Sequence, residues 1–126
     1  MHALRETPDM DLALKLQLKE GQRIEGILVP DSVGPELSAF ISEVGDQETA
    51  LLVFVADRSA LEESRIQIAE AASKDRLTWV SYPKSGQLGT DLKRDSLAAL
   101  LSTSGLQPVR QIALNDVWSA LRFRPA

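Results

Sequence analysis

Residues 50–56, A-L-L-V-F-V-A, decide the fold. An unbroken apolar run of this length, bounded by Glu48-Thr49 and Asp57-Arg58, reads as a strand covered on both faces, because a half-exposed strand would alternate. Strands of that kind belong to parallel sheets, so this run is expected to be the central strand.

Working outward toward the C-terminus, S-A-L-E at 59–62 has the capping-box pattern and predicts a helix lasting to about residue 73. The stretch L-T-W-V-S-Y at 77–82 reads as the next strand, followed by a loop, P-K-S-G-Q-L-G-T at 83–90, with two glycines. Thr90 or Asp91 is expected to cap a further helix, whose Leu97, Leu100 and Leu101 form an apolar stripe closed by Gly105. Two strand-like runs, 109–114 and 117–124, flank Asn115-Asp116, residues that tolerate a tight hairpin turn, and predict an antiparallel edge.

Working outward toward the N-terminus, R-I-E-G-I-L-V at 23–29 reads as the first strand, stopped by Pro30-Asp31. Leu37, Phe40, Ile41 and Val44 fall at i, i+3, i+4 and i+7 after Gly34-Pro35 and predict an amphipathic helix ended by Gly45. The segment 12–18 alternates Leu with other residues like a strand but is built from good helix formers; it is read as a short helix ending near Leu16. Residues 1–9 show no period and are read as a flexible lead-in.

Strand and helix thus alternate, which argues for right-handed crossovers and a mainly parallel sheet. The expected fold is a three-layer α/β sandwich on a truncated Rossmann-like mixed sheet of about five strands. Strands near 23–29, 50–56, 77–82 and 108–114 should run one way, and the C-terminal one, near 117–124, antiparallel.

At 126 residues, with 44% hydrophobic and 25% charged residues, the chain is expected to form one α/β domain over 1–126. A net charge of -4 offers no basic stripe for a run of phosphates, so nucleic acid is not an expected partner. Cysteine is absent and the one histidine is His2, which excludes thiolate nucleophiles, disulfides and zinc-thiolate sites. No stretch approaches the roughly 20 apolar residues that cross a bilayer, and no secretory leader is visible, so no membrane partner is expected and the protein is read as cytoplasmic.

The order from residue 50 onward resembles the second half of a Rossmann-like methyltransferase, in which a late antiparallel strand slots into the parallel sheet. More specifically, W-V-S-Y-P-K at 79–84, the following S-G and T-D-L, and W-S-A-L-R-F at 118–123 resemble a family of small bacterial domains of unknown function. K-L-Q-L-K-E-G-Q-R-I at 15–24 is similar to the stretch leading into that family's first strand, which extends the resemblance over residues 12–124. The chain departs from the methyltransferase pattern where Pro30-Asp31-Ser32-Val33-Gly34 replaces a glycine-rich turn, since Pro30 supplies no amide donor. No room remains before residue 50 for the strand whose acidic end would hold a ribose, so the cofactor-binding half is read as missing.

Ligands of open α/β sheets sit beyond the carboxyl ends of the parallel strands, which places Pro30, Asp31, Asp57, Arg58, Tyr82, Pro83 and Lys84 on one rim. Tyr82, Lys84, Ser85 and Gly86 put a phenol, an ammonium, a hydroxyl and a flexible glycine on one loop, suited to an anion or a polar small molecule. Their plain structural reading is strand-end packing for Tyr82 and a solvated charge for Lys84. Asp57 is either a carboxylate orienting a substrate or a cap for the next helix, and Asp91 carries the same two readings. Trp118 and Arg122 share one face of the last strand, as a stacking and anion-holding pair or as a Trp packed on a helix with an Arg stem over it.

No catalytic constellation is complete: there is no internal His or Cys and no G-x-S-x-G elbow. The leading reading is a noncatalytic binding or interaction module, a degenerate relative of methyltransferases, that recognises a small polar ligand or protein partner through the Tyr82 and Lys84 rim and needs no cofactor. Its rival is a small cofactor- or nucleotide-dependent transferase using Asp57, Lys84 and Asp91. A third is a structural homodimer formed through the sheet edge or the Trp118 face.

Overall fold

The computed structural model describes residues 8–43, 45–84 and 87–126. The elements run α1 (Pro8–Lys15), β1 (Ile24–Ile27), α2 (Gly34–Leu37), β2 (Ala50–Phe54), α3 (Arg58–Ser73), β3 (Thr78–Pro83), α4 (Arg94–Ser102), β4 (Leu106–Ala113) and β5 (Trp118–Pro125), with a single 3-10 turn at Gln87–Gly89. The five strands form one sheet in the order β1-β2-β3-β5-β4.

All five residues of β2 are buried, as their apolar run implied. The strand pairs in parallel with β1 (Gly26 beside Leu52) and with β3 (Leu52 beside Trp79). Two apolar clusters lie against the sheet. One joins Leu51, Val53, Val80, Leu121 and Phe123 to Leu61 and Ile68 of α3 and Leu97 and Leu101 of α4. The other joins Leu52, Phe54, Trp79, Trp118 and Ala120 to Leu12 and Leu16 near α1 and to Leu37 of α2. Side chains that alternate along β2 therefore feed separate cores.

β5 is antiparallel to both β3 and β4, so β4 points the same way as β1, β2 and β3, the direction expected of it. β5 lies between β3 and β4 and leaves β4 at the edge, so the late antiparallel strand is set between strands of the other direction. The burial explains the order. Residues 118–121 and Phe123 of β5 are buried, whereas β4 is mostly exposed and carries Pro108, which donates no ladder hydrogen bond, next to a register shift.

Other expectations need correction. Part of the expected lead-in is helical, since α1 begins at Pro8, a position where proline's missing amide costs nothing; residues 1–7 lie outside the described residues. The helix expected over Leu37 to Val44 lasts one turn. Both guanidinium nitrogens of Arg23 donate to carbonyls that a helix would use, Nη1 to Ala39 at 2.8 Å and Nη2 to Ile41 at 2.7 Å. Ile41 then forms a parallel bridge beside Ile24 on the outer edge of β1. Val44 lies outside the described residues. α3 starts at Arg58 with Asp57 as its cap, not at the 59–62 box, and α4 starts only after Lys93.

Candidate functional site

The chain leaves β1 for a bridge on one side, at Ile41, and leaves β2 and β3 in the other direction. The carboxyl ends of the parallel strands carry the rim residues, and the recess at this rim opens beside β3, at Tyr82 and Lys84.

The structure divides the candidate residues into four groups. Asp57, Arg58 and Asp91 gather at the start of α3. Asp57 Oδ1 accepts the Ala60 amide at 2.9 Å, and Asp91 Oδ1 accepts the Arg58 amide at 3.0 Å. Two carboxylates thus satisfy two of the amides that a helix start leaves without partners, and their charge opposes the positive helix pole.

Tyr82 and Lys84 form the second group. They share a recess of about 430 Å3 with Lys93, Arg94, Asp95, Gln111 and Ser119. Tyr82, next to last in β3, is buried on the α3 and α4 side; its phenol oxygen accepts from Gln111 Nε2 at 3.3 Å across β5. Gln111 Oε1 in turn accepts from Arg94 Nε at 2.7 Å, giving a chain from phenol to amide to guanidinium. Burial raises the Tyr82 pKa above its ordinary value, while the nearby Arg94 charge and the Ser119 hydroxyl pull it back. Lys84 is held by its backbone, whose amide donates to the Val117 carbonyl at 2.7 Å. Ser85 lies outside the described residues.

Lys93 and Arg94 enter this recess from the first turn of α4, and reading the sequence did not single them out. Lys93 occupies the N-cap position, where an ammonium can accept no amide. Only the Ser96 hydroxyl compensates, accepting the Lys93 amide at 2.9 Å. Two cations at the positive pole of a helix are electrostatically unfavourable by themselves and favourable beside an anion. The available signal was that K-R at 93–94 directly precedes the apolar stripe; assigning the cap to Thr90 or Asp91 hid it inside the helix. Against Lys84, Lys93 and Arg94 the recess holds one carboxylate, Asp95, which lies 3.4 Å from Arg94 Nη1 and is largely exposed.

Trp118 is buried, its ring edge-on to Phe54 with centroids 5.2 Å apart, so it presents no exposed stacking face. Arg122 stands four positions along β5, about 13 Å away at ordinary strand rise, and pairs in register with Trp79 on β3 and Arg110 on β4. The Trp118 and Arg122 pair expected from alternation shares a face but not a site.

A wider hollow of about 640 Å3 runs along the outer face of α3 past Arg65, Ile66 and Ala69, away from the strand ends. Among the described residues no helix is long and apolar enough to cross a membrane. No protein-family model matches the chain, and no curated protein matches it.

Proposed function

We propose that the protein is a noncatalytic binding module that takes a small anionic ligand in the recess between β3, β4 and the start of α4. The observation that carries this reading is the convergence of Lys84, Lys93 and Arg94 on the Tyr82 phenol, with the first-turn amides of α4 behind them. Cations at the N-cap and first position of a helix are what a phosphate or carboxylate needs and what an empty helix start disfavours. The groups that could do chemistry are engaged elsewhere: Asp57 and Asp91, required by the transferase reading, are both bonded to α3 amides.

The fold reading that accompanies this proposal is a three-layer sandwich descended from a truncated Rossmann-like methyltransferase. It is supported by the two cores, which contain residues of different helices, and by an antiparallel β5 set between strands of the other direction. The Pro30 turn, with no glycine-rich approach for a cofactor, favours a descendant that binds without transferring. Kinship with the small bacterial domains of unknown function rests on the W-V-S-Y-P-K and W-S-A-L-R-F motifs, which supply Tyr82, Lys84 and Ser119 to the recess.

The test is a thermal-shift panel of inorganic phosphate, nucleotides, S-adenosyl compounds and acyl carriers. Anionic members should raise the melting temperature, and Lys84→Ala or Lys93→Ala should abolish the rise without lowering the melt of the free protein. A flat panel, or a rise that survives both substitutions, overturns the reading.

A further inference from the structure

A second polar cavity, of about 380 Å3, opens at the other end of the sheet, where the chain enters β1, β2 and β3. Its lining includes Arg122, whose Nη1 donates to Gln17 Oε1 at 2.8 Å. The Nε of Arg122 is buried without a hydrogen-bond partner, and among the described residues Nη2 meets no acceptor either. Nε–H and Nη2–H are the parallel pair with which a guanidinium grips a carboxylate. A buried donor left unpaired is costly, and Arg122 also faces Arg110 directly across the strand pair, a like-charge placement that an anion would relieve.

The backbone supplies an independent sign. Gln17 and Asp75 end α1 and α3 in Schellman turns: Leu18 N–H reaches the Ala13 carbonyl at 3.0 Å, and Arg76 N–H reaches the Ala71 carbonyl at 3.1 Å. Both residues hold the left-handed conformation, at φ 60 and φ 61, where glycine is favoured. Both nevertheless keep side chains, and both line this cavity. Leu28 and Leu88 hold the same conformation away from this cavity, so it is the bond from Arg122 to the Gln17 side chain that ties the helix end to the site.

The charges of the lining identify the ligand. Beside Lys19 and Arg122 the lining holds Glu48 and Asp75, the latter already paired through Oδ1 with Arg124 Nε and Nη2 at 3.2 Å, so Glu48 and the carbonyl ends of two helices are what favour a cationic group beside the fork. We propose that this cavity binds a small zwitterion of the amino-acid type, its carboxylate on the Nε and Nη2 fork of Arg122 and its ammonium toward Glu48 and the helix ends. This site is separate from the recess at Tyr82 and stands or falls without it.

The side-chain Nε–H signal of Arg122 in a nitrogen-proton correlation spectrum of the full chain, identified by its loss in Arg122→Lys, reads the site directly. Glycine and L-glutamine should move this signal saturably, at least tenfold more tightly than acetate, while methylamine and sodium chloride leave it in place. Gln17→Gly, which suits the left-handed backbone, should weaken the glycine response without lowering the melting temperature. No saturable movement with either amino acid overturns the proposal, as does a response to acetate equal to that of glycine, which would mark a plain anion site. The readout is the wild-type signal, and Arg122→Lys, which keeps the charge and stem, serves only to assign it.

Discussion

The indole N–H of Trp79 donates to the main-chain carbonyl of Leu16 at 3.0 Å, a buried hydrogen bond across 63 positions of sequence. It ties the last turn of α1 to the middle of the sheet, where Trp79 is fully buried. Trp79→Phe retains an aromatic ring but leaves that carbonyl unpaired, so the variant should lose about 1–3 kcal/mol. Urea unfolding should show the midpoint falling with the slope unchanged; a wild-type midpoint would mean that water replaces the indole at no cost.

Gly45 lies against the Glu25 carboxylate. A Cβ there would run into the carboxylate of Glu25, which pairs with Arg76 Nη2 at 2.7 Å while Arg76 Nε donates to the Thr49 carbonyl at 2.6 Å. Gly45→Ala should cost about 1 kcal/mol, the worth of the Glu25–Arg76 hydrogen bond that the methyl displaces, and that penalty should disappear in a Glu25→Ala background. A double-mutant cycle measures the coupling, and additive effects would place the strain elsewhere.

The protein has one tyrosine, so ultraviolet titration of the phenolate reads Tyr82 alone. Burial raises its pKa above the ordinary tyrosine value of about 10 in the folded state. The folded chain then holds the phenolic proton more tightly than the unfolded chain does. Stability is fully present below about pH 10 and falls as pH rises through the folded value. The titration midpoint should exceed that of the urea-unfolded protein, and Tyr82→Phe should remove this part of the alkaline loss. Coincident midpoints would show a phenol that is wet in solution.

Asp57 and Asp91 each take one amide of the first turn of α3, those of Ala60 and Arg58. Asp57→Ala should cost about 1 kcal/mol. Asp91→Ala should cost less, because Asp91 is not the cap residue of α3 and approaches from a loop 33 positions away. Thermal unfolding of the single and double variants tests this. If either variant abolished binding at the Tyr82 recess while keeping its melt, that carboxylate would have a role beyond capping.

The parts of the fold legible in the sequence are those whose determinants are local. The apolar run of β2 could only be a strand covered twice, and Asn115 announced the hairpin, where its Oδ1 accepts the amides of Val117 and Trp118 at 2.8 and 2.9 Å. The pattern of β5 alone did not place it, because alternation shows which face a side chain takes and says nothing about which strand lies alongside; only the resemblance implied a late antiparallel strand slotted into the sheet. The rim rule found Tyr82 and Lys84, since they follow a parallel strand directly. It missed Lys93 and Arg94, which arrive from a helix start, and it could not reveal that Arg122 lies at the opposite end from Trp118.

The helix that stops at Leu37 gives the sharpest test of a long-range contact overriding local period. Leu37, Phe40 and Ile41 have helical spacing, yet the Ile24 amide donates to the Phe40 carbonyl and the Ser42 amide to the Ile24 carbonyl, both at 2.8 Å. Arg23 stabilises this alternative through the carbonyls of Ala39 and Ile41. Arg23→Met keeps the stem and removes both donors, so the bridge beside β1 should loosen by about 1–3 kcal/mol in total, from two hydrogen bonds each worth roughly 0.5–1.5. Hydrogen exchange should accelerate at the amides of Ile24 and Ser42 while those of β2 and β3 keep their protection, because a segment held by few contacts opens apart from the core. Equal acceleration at Leu52 and Val80 would show that residues 40–42 unfold only with the whole sheet, and the edge would then be part of the core.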